Sequence, residues 1–301
     1  MSGKADSLKT IFYALGANFA IFVAKLVAAV ITGSGAMTAE AVHSLADCGN
    51  QGLLLLGMKS AKAPPTPEHP LGHGKAVYFW SFLVALMLFS VGGAFSIYEG
   101  IHKLHEPQPL TRAWIAVAVL TFGIVAESFS MWGCLREVNK ARGSRSLWRW
   151  FRESRQSELV VILGEDFAAL LGLALALIAV LLTMLTGNPM WDGLGSMWIG
   201  VVLIAVAFGI GNEIMALLIG QSADPATVAS LRRFVEAHEG VDEVYRVLTL
   251  QLGTSLMVSL KVKIKAKSAA ELVSRINEVE AALRIEFPEI QWLFFEPDVA
   301  G

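Results

Sequence analysis

The sequence is poor in charge and in cysteine, and both shortages exclude classes of protein. Only 17% of its 301 residues are charged and 54% are hydrophobic, which is too apolar for a single soluble globular domain of this length. The two cysteines, Cys48 and Cys134, lack CxxC spacing, so neither a disulfide framework nor a cysteine zinc site is predicted. The sequence also has no phosphate-binding loop and no nucleophile set beside a base. We therefore expect a membrane protein that is not an enzyme and needs no cofactor.

Long apolar runs are what the sequence has in abundance. They lie near residues 10–32, 36–58, 77–101, 112–135, 158–186 and 192–219. Each is long enough to cross a bilayer as a helix, and the first is longer than the apolar core of a signal peptide. The sequence therefore predicts an all-α bundle of six transmembrane helices over residues 1–220.

The basic residues concentrate in alternate connections between these runs. The basic connections hold Lys4 and Lys9, then Lys59, Lys62 and Lys75, then Arg136, Lys140, Arg142, Arg145, Arg149, Arg152 and Arg155. The opposite connections carry only Lys103 and Arg112, so the positive-inside rule predicts that both termini are cytoplasmic. Beside a membrane helix, the basic loop at 136–157 is read as a topology and lipid-interface signal, not as a nucleic-acid site. The modest length and short start favour a bacterial inner membrane over an organelle.

After Gly220 the charge rises and apolar residues begin to alternate with polar ones, which predicts a second domain over 221–301. Asp224-Pro225 is typical of a helix start, and Ser268-Ala-Ala-Glu271 is a capping-box pattern that opens another helix. Strands are predicted at 241–252, 256–265 and 290–295. The order α-β-β-α-β predicts a small α+β layer.

The second apolar run contains a stripe of polar side chains. Glu40, His43, Asp47 and Asn50 are spaced i, i+3, i+7 and i+10, so they share one helix face. An ionised Asp in the middle of a membrane helix costs about 2.5 to 3.5 kcal/mol, so such groups normally pair, face water or bind ions. A His and an Asp one turn apart can ligate one cation, and the stripe therefore predicts an ion site.

The fifth run adds Asp166 as the natural partner ligand from another helix. Its neighbour Glu165 projects about 100° away, which leaves three roles open: coordination, proton coupling, or facing a cytoplasmic vestibule. Lys25 and Glu127 are two further charges inside apolar runs. We expect Lys25 to pair with Glu40 and neither Lys25 nor Glu127 to contact the metal.

The loop before the third run holds a second candidate metal site. His69 and His73 lie four residues apart, with Glu68 adjacent, and two His beside a carboxylate can bind zinc without a regular helix. A loop whose His side chains are only solvated fits the spacing equally well.

These features together resemble the cation diffusion facilitator family of divalent-metal transporters, over nearly the whole chain. The matching motifs are the segment 39–47 (Ala-Glu-Ala-Val-His-Ser-Leu-Ala-Asp) and Gly72-His-Gly-Lys75. A subgroup of the zinc-transporter-9 type is suggested by Asn50-Gln51, Phe79-Trp80-Ser81, the segment 96–100 (Ser-Ile-Tyr-Glu-Gly), Glu127-Ser128, Glu165-Asp166 and the segment 217–222 (Leu-Leu-Ile-Gly-Gln-Ser). The resemblance implies a ferredoxin-like cytoplasmic tail and a homodimer.

The resemblance also implies a transport site of His43, Asp47 and Asp166, and a loop metal site that includes His69 and His73. Many family members place a His or Asp where this sequence has Ile162, so Glu165, Asn50 or a water completes the shell, or the selectivity differs. The implied activity is proton-coupled efflux of divalent cations, with Zn²⁺ as the expected metal. The alternatives are Mn²⁺ or Fe²⁺ export by the same fold, or a membrane scaffold or regulator that has lost transport.

Overall fold

The computed structural model describes residues 3–299, with side chains described from residue 18 onward. The helices of the apolar region are α1 (Gly3–Thr32), α2 (Gly35–Ser60), α3 (Ala76–Met87), a π-helical segment (Leu88–Ala94), α4 (Phe95–His105), α5 (Ala113–Arg142), α6 (Leu147–Glu153), α7 (Ser157–Thr186) and α8 (Met190–Ile219). Every apolar run predicted as a span is therefore helical. The helix at 147–153 lies within the predicted basic loop.

Membrane-spanning character is clear in most of these helices. Within the described residues, four helical stretches are long and apolar enough to cross a membrane: Ala76–His105, Ala113–Arg142, Ser157–Thr186 and Met190–Ile219. Asn18–Thr32, the described apolar part of α1, is shorter, and α2 carries the polar stripe that lowers its hydropathy. The chain is a multi-pass integral membrane protein, as its apolar runs predict.

Glycines hold the stretch 76–105 close to α8. A Cβ atom on Gly93 would lie 2.5 Å from a side-chain carbon of Ile204, and one on Gly200 would lie 2.6 Å from the carbonyl oxygen of Gly93. Gly100 and Gly193 repeat the close approach two turns away. Small residues let membrane helices pack backbone to backbone, and dispersion contacts then stabilise the pair.

The C-terminal region is an α/β layer with a three-stranded sheet. Its elements are α9 (Pro225–Glu236), β1 (Val241–Leu252), β2 (Ser255–Ile264), α10 (Ala269–Glu286) and β3 (Ile290–Pro297). β2 pairs antiparallel with β1 and parallel with β3, which requires α10 as the crossover. The predicted caps are present, since Asp224 accepts from the backbone N–H of Ala226 and Ser268 accepts from that of Glu271.

The chain forms two compact units. The first unit contains the residues up to Leu56, Trp80–Ser144 and Glu158–Asn212. The second unit contains Gly57–Phe79, Arg145–Ser157 and the chain from Glu213 onward. In the second unit, the hydroxyl of buried Tyr78 accepts from the backbone N–H of Gly253 at 3.0 Å. The core beneath the sheet is apolar, with Leu231, Val258 and Leu283 fully buried. The predicted domain boundary at 220/221 stays a prediction.

Candidate metal centre

His43 lies at the centre of the polar stripe on α2 and is fully buried. Its Nδ1 lies 3.6 Å from Oδ1 of Asp47, one helical turn further along. Neither ring nitrogen has a hydrogen-bond partner among the described residues. A buried polar atom without a partner typically costs about 1 to 3 kcal/mol, so an imidazole with two such atoms has unused ligating capacity.

Three oxygen atoms along the stripe also lack hydrogen-bond partners. Oδ1 of Asp47, Oδ1 of Asn50 and Oε1 of Glu40 are buried and have no hydrogen-bond partner among the described residues. These three are acceptors, and acceptors are what a cation recognises. The stripe thus presents several acceptor atoms that nothing in the described protein satisfies.

The fifth membrane helix meets the stripe through Glu165. Nδ2 of Asn50 donates to Oε1 of Glu165 at 2.5 Å, which joins α2 to α7. Asp166 instead contacts α5, where the hydroxyl of Ser130 lies 3.2 and 3.3 Å from its two carboxylate oxygens. Glu165 is therefore hydrogen-bonded to the helix that bears His43, and Asp166 is hydrogen-bonded to α5.

The structure brings together only part of the predicted ligand set. Between residues 18 and 299, no three His, Cys, Asp or Glu side chains form a group that could hold a metal ion. His43 and Asp47 are adjacent, whereas Asp166 is turned toward Ser130. Ile162, one turn before Asp166, offers no ligand atom.

The expected ion pair between Lys25 and Glu40 is present and buried. Nζ of Lys25 donates to Oε2 of Glu40 at 3.0 Å and to the hydroxyl of Ser44 at 2.8 Å. The side chains are 1% and 0% exposed. The prediction that this pair forms is confirmed, and Ser44 is a further partner of Lys25.

Two polar residues that contact the site or the helix bearing it, Ser130 and Asp192, were not predicted from the sequence. Ser130 lies three residues after Glu127, so their shared helix face was the available signal. Asp192, at the start of α8, accepts from the backbone N–H of Gly35 and so caps α2. Asp192 is the first residue of the predicted run 192–219 and is 2% exposed.

The loop candidates lie in the second compact unit. The imidazole rings of His69 and His73 are 4.5 Å apart between centroids, and buried Nδ1 of His73 has no partner among the described residues. Glu68 is exposed and does not complete a group of three. The structure therefore pairs the two His side chains and leaves the carboxylate outside the pair.

Comparisons with known proteins agree with this architecture. A family profile described as the cation efflux transmembrane domain matches residues 11–219. The chain is 35% identical over 261 residues to the proton-coupled zinc antiporter SLC30A9, mitochondrial, of Xenopus laevis, covering 86% of this chain and 46% of that protein. The chain thus spans about half the length of the zinc antiporters it matches.

More distant relatives come from a plant and a bacterium. Metal tolerance protein C4 of Arabidopsis thaliana is 29% identical over 241 residues, covering 79% of this chain and 53% of that protein. The cation-efflux pump FieF of Pectobacterium atrosepticum is 25% identical over 286 residues, covering 93% of this chain and 89% of that protein. With its helical membrane region and the family match across most of it, the chain belongs to the cation diffusion facilitator family, a family of transporters and not of enzymes.

Proposed function

We propose that this protein exports a divalent metal cation, Zn²⁺, in exchange for protons, and that the ion binds at His43, Asp47 and Asp166. The observation that carries the proposal is the state of His43, which is wholly buried beside a carboxylate and whose two ring nitrogens have no hydrogen-bond partner among the described residues. Intramembrane ionisable groups in such a setting mark ion pathways and proton relays. The names of the zinc antiporters at 35% identity support the choice of zinc and of protons.

Proton coupling follows from the chemistry of the ligands. A His ligand must be neutral and a carboxylate ligand ionised, so metal binding releases protons and protonation expels the metal. The site therefore binds either the metal or protons, and their alternation couples the two fluxes.

Asp166 must change partner for the cation to be fully ligated. In the structure it is held by the exposed hydroxyl of Ser130, which is a weak competitor for a carboxylate facing a divalent ion. The proposal is that metal binding draws Asp166 away from Ser130 toward His43 and Asp47. Glu165 either keeps its hydrogen bond from Asn50 or supplies an additional oxygen ligand to the cation.

The ligand chemistry bears on which metal is carried. One imidazole suits Zn²⁺ and Fe²⁺, whereas an all-oxygen site favours Mn²⁺. With Ile162 in place of a second nitrogen or carboxylate donor, oxygen atoms dominate the shell. Mn²⁺ and Fe²⁺ are therefore the competitors that the transport assay includes.

The further parts of the proposal concern topology and assembly. Both termini and the tail are cytoplasmic, the protein works as a homodimer, and His69 with His73 forms an accessory loop site. The basic connections support the orientation, because Lys and Arg remain on the side from which the chain is inserted.

Transport by the purified full-length protein in proteoliposomes tests the proposal. Zn²⁺, Mn²⁺, Fe²⁺, Co²⁺ and Cd²⁺ are each offered under an imposed pH gradient, with metal and proton fluxes recorded together. We expect zinc flux that depends on the gradient and is abolished in Asp47→Ala and in Asp166→Ala. The matched control is Glu106→Gln, which neutralises a carboxylate whose side chain is 71% exposed.

Two results would contradict the proposal. One is full exchange in either aspartate variant, and the other is flux in the wild type that ignores the pH gradient. Ile162→His examines the incomplete ligand shell separately, because a second imidazole one turn from Asp166 should raise selectivity for zinc over manganese.

A further inference from the structure

Lys25 is buried within an array of acidic side chains. It is 1% exposed on α1, and its ammonium is held by Glu40 and Ser44 of α2. Ser44 directly follows His43 in α2, so the ammonium lies beside the residue proposed as a metal ligand. It therefore contributes a fixed positive charge near the proposed cation site.

Glycines of two other helices lie beside Lys25 and its partner Glu40. A Cβ atom on Gly123 of α5 would lie 3.7 Å from Cε of Lys25 and 3.0 Å from Leu173. A Cβ atom on Gly172 of α7 would lie 2.6 Å from Oε1 of Glu40. Gly172 therefore leaves space for the Glu40 carboxylate, whereas a side chain at position 123 would be crowded by Leu173 and not by Lys25.

Glu40 retains a free carboxylate oxygen despite the ion pair. Oε2 accepts from Lys25, whereas buried Oε1 has no hydrogen-bond partner among the described residues. Glu40 lies one turn before His43 on the same face of α2, so without Lys25 it would be available as a further carboxylate ligand. At this end of the stripe the Lys25 ammonium is the cation that Glu40 binds.

We propose that Lys25 acts as a resident cation that keeps Glu40 out of the metal shell and weakens cation binding at His43 and Asp47 enough for the ion to leave. The inference rests on the proposed transport function and assigns Lys25 as a positioning residue within it. A fixed positive charge in a medium of low dielectric repels a divalent ion strongly. A site that lacked this repulsion would hold zinc too tightly to turn over quickly.

Zinc binding and zinc transport by the full-length protein test this role in Lys25→Met, Glu40→Gln and the double variant. Removing the ammonium alone should tighten zinc binding about ten-fold and slow maximal transport, so that KM and kcat fall together. Removing the carboxylate alone leaves the ammonium unbalanced and should weaken zinc binding about ten-fold. The double variant should lie between the two single variants.

A purely structural ion pair gives a different pattern. It would lower stability in both single variants, without opposite shifts in zinc affinity, and that result would overturn the inference. Failure of both single variants to fold while the double variant folds would also overturn it, because the pair would then serve the fold alone. Loss of zinc binding in the double variant would also overturn the inference, because Glu40 would then itself be a metal ligand.

These outcomes are distinguishable from failure of the proposed function. If the wild type neither binds nor transports zinc, the transport proposal fails. If the wild type transports zinc and the single variants do not shift its affinity in opposite directions, only the role of Lys25 fails.

Discussion

Asp192 of α8 caps the first turn of α2 through the backbone of Gly35. Its Oδ2 accepts from the N–H of Gly35 at 2.5 Å, and its Oδ1 accepts from the hydroxyl of Ser34 at 2.5 Å. The first N–H groups of a helix lack partners within the helix, and a carboxylate there also interacts favourably with the helix dipole. One end of the helix that carries His43 is thereby fixed to α8.

The cap predicts a stability change on substitution. Asp192→Ala leaves buried N–H and hydroxyl groups unpartnered, so the free energy of unfolding should fall by about 1 to 3 kcal/mol. Thermal unfolding of the purified protein in detergent measures this as a lower Tm. Glu106→Gln, which removes a carboxylate charge at an exposed position, should leave Tm unchanged. Equal Tm values for the two variants would contradict the capping role.

The close packing between the 76–105 stretch and α8 predicts that two glycine variants of α8 differ in stability. Gly200→Ala places a Cβ atom 2.6 Å from the carbonyl oxygen of Gly93, so the two helices must separate. Overpacking of this kind costs about 1 to 3 kcal/mol. Gly209→Ala on the same helix meets nothing within 4 Å and provides the matched control. Ala favours a helix over Gly, so Tm should fall only for the first variant, and a fall of the same size in both would contradict the role assigned to close packing at Gly200.

The β1–β2 hairpin turn, in the second compact unit, predicts that variants of two neighbouring turn residues differ in stability. Gly253 has φ +65°, and a Cβ atom there would lie 2.6 Å from the carbonyl oxygen of Gly74. Gly253→Ala should therefore destabilise the full-length protein by about 1 to 2 kcal/mol, since L-residues disfavour positive φ. Thr254→Ala, at the exposed neighbouring position, should have little effect. Protease resistance of the tail compares the two variants, and equal resistance would contradict the requirement for glycine.

An ion pair on the sheet predicts a pH dependence. Asp242 lies 2.8 Å from Nζ of Lys265 and 3.1 Å from Nζ of Lys263. Hydrogen bonds from Lys265 and then Lys263 lower the pKa of Asp242 below its ordinary value. A lowered pKa in the folded state means that the stabilisation is present above the unfolded pKa and is lost as the pH falls through the folded pKa.

Asp242→Asn should therefore lower Tm slightly at pH 7, and the difference from wild type should shrink as the pH falls below the usual range of aspartate. High salt should also reduce the difference, because the groups are solvated. Glu239→Gln, an exposed variant with the same change in charge, should show no such pH dependence. A difference that persisted in acid would indicate a cause other than the ion pair.

Much of the fold could be predicted because it depends on local pattern. Apolar length alone predicts the helices that contain the spans, and the capping residues Asp224 and Ser268 predict where α9 and α10 begin. The pair of Lys25 and Glu40 could be predicted because two opposite charges in apolar helices have few other ways to be satisfied.

Features that depend on how helices rotate against one another could not be read from the sequence. The spacing of Glu165 and Asp166 does not reveal that Asn50 donates a hydrogen bond to Glu165. Nor does it reveal that Ser130 donates one to Asp166. The π-helical segment at Leu88–Ala94 has no clear local signal, and it brings Gly92 to where a Cβ atom would lie 3.9 Å from Nδ1 of His43. Such segments are frequent at functional sites, and here one packs against the proposed ligand.

The central claim is that His43 and the carboxylates near it bind the transported cation, and zinc titration of the purified protein tests it most directly. The measurement uses the full chain with His69→Ala and His73→Ala, so that the loop cannot contribute zinc sites. In this background we predict saturable binding of zinc, and a loss of affinity of at least about ten-fold when His43→Ala is added. Unchanged zinc affinity in the His43→Ala protein would contradict the claim.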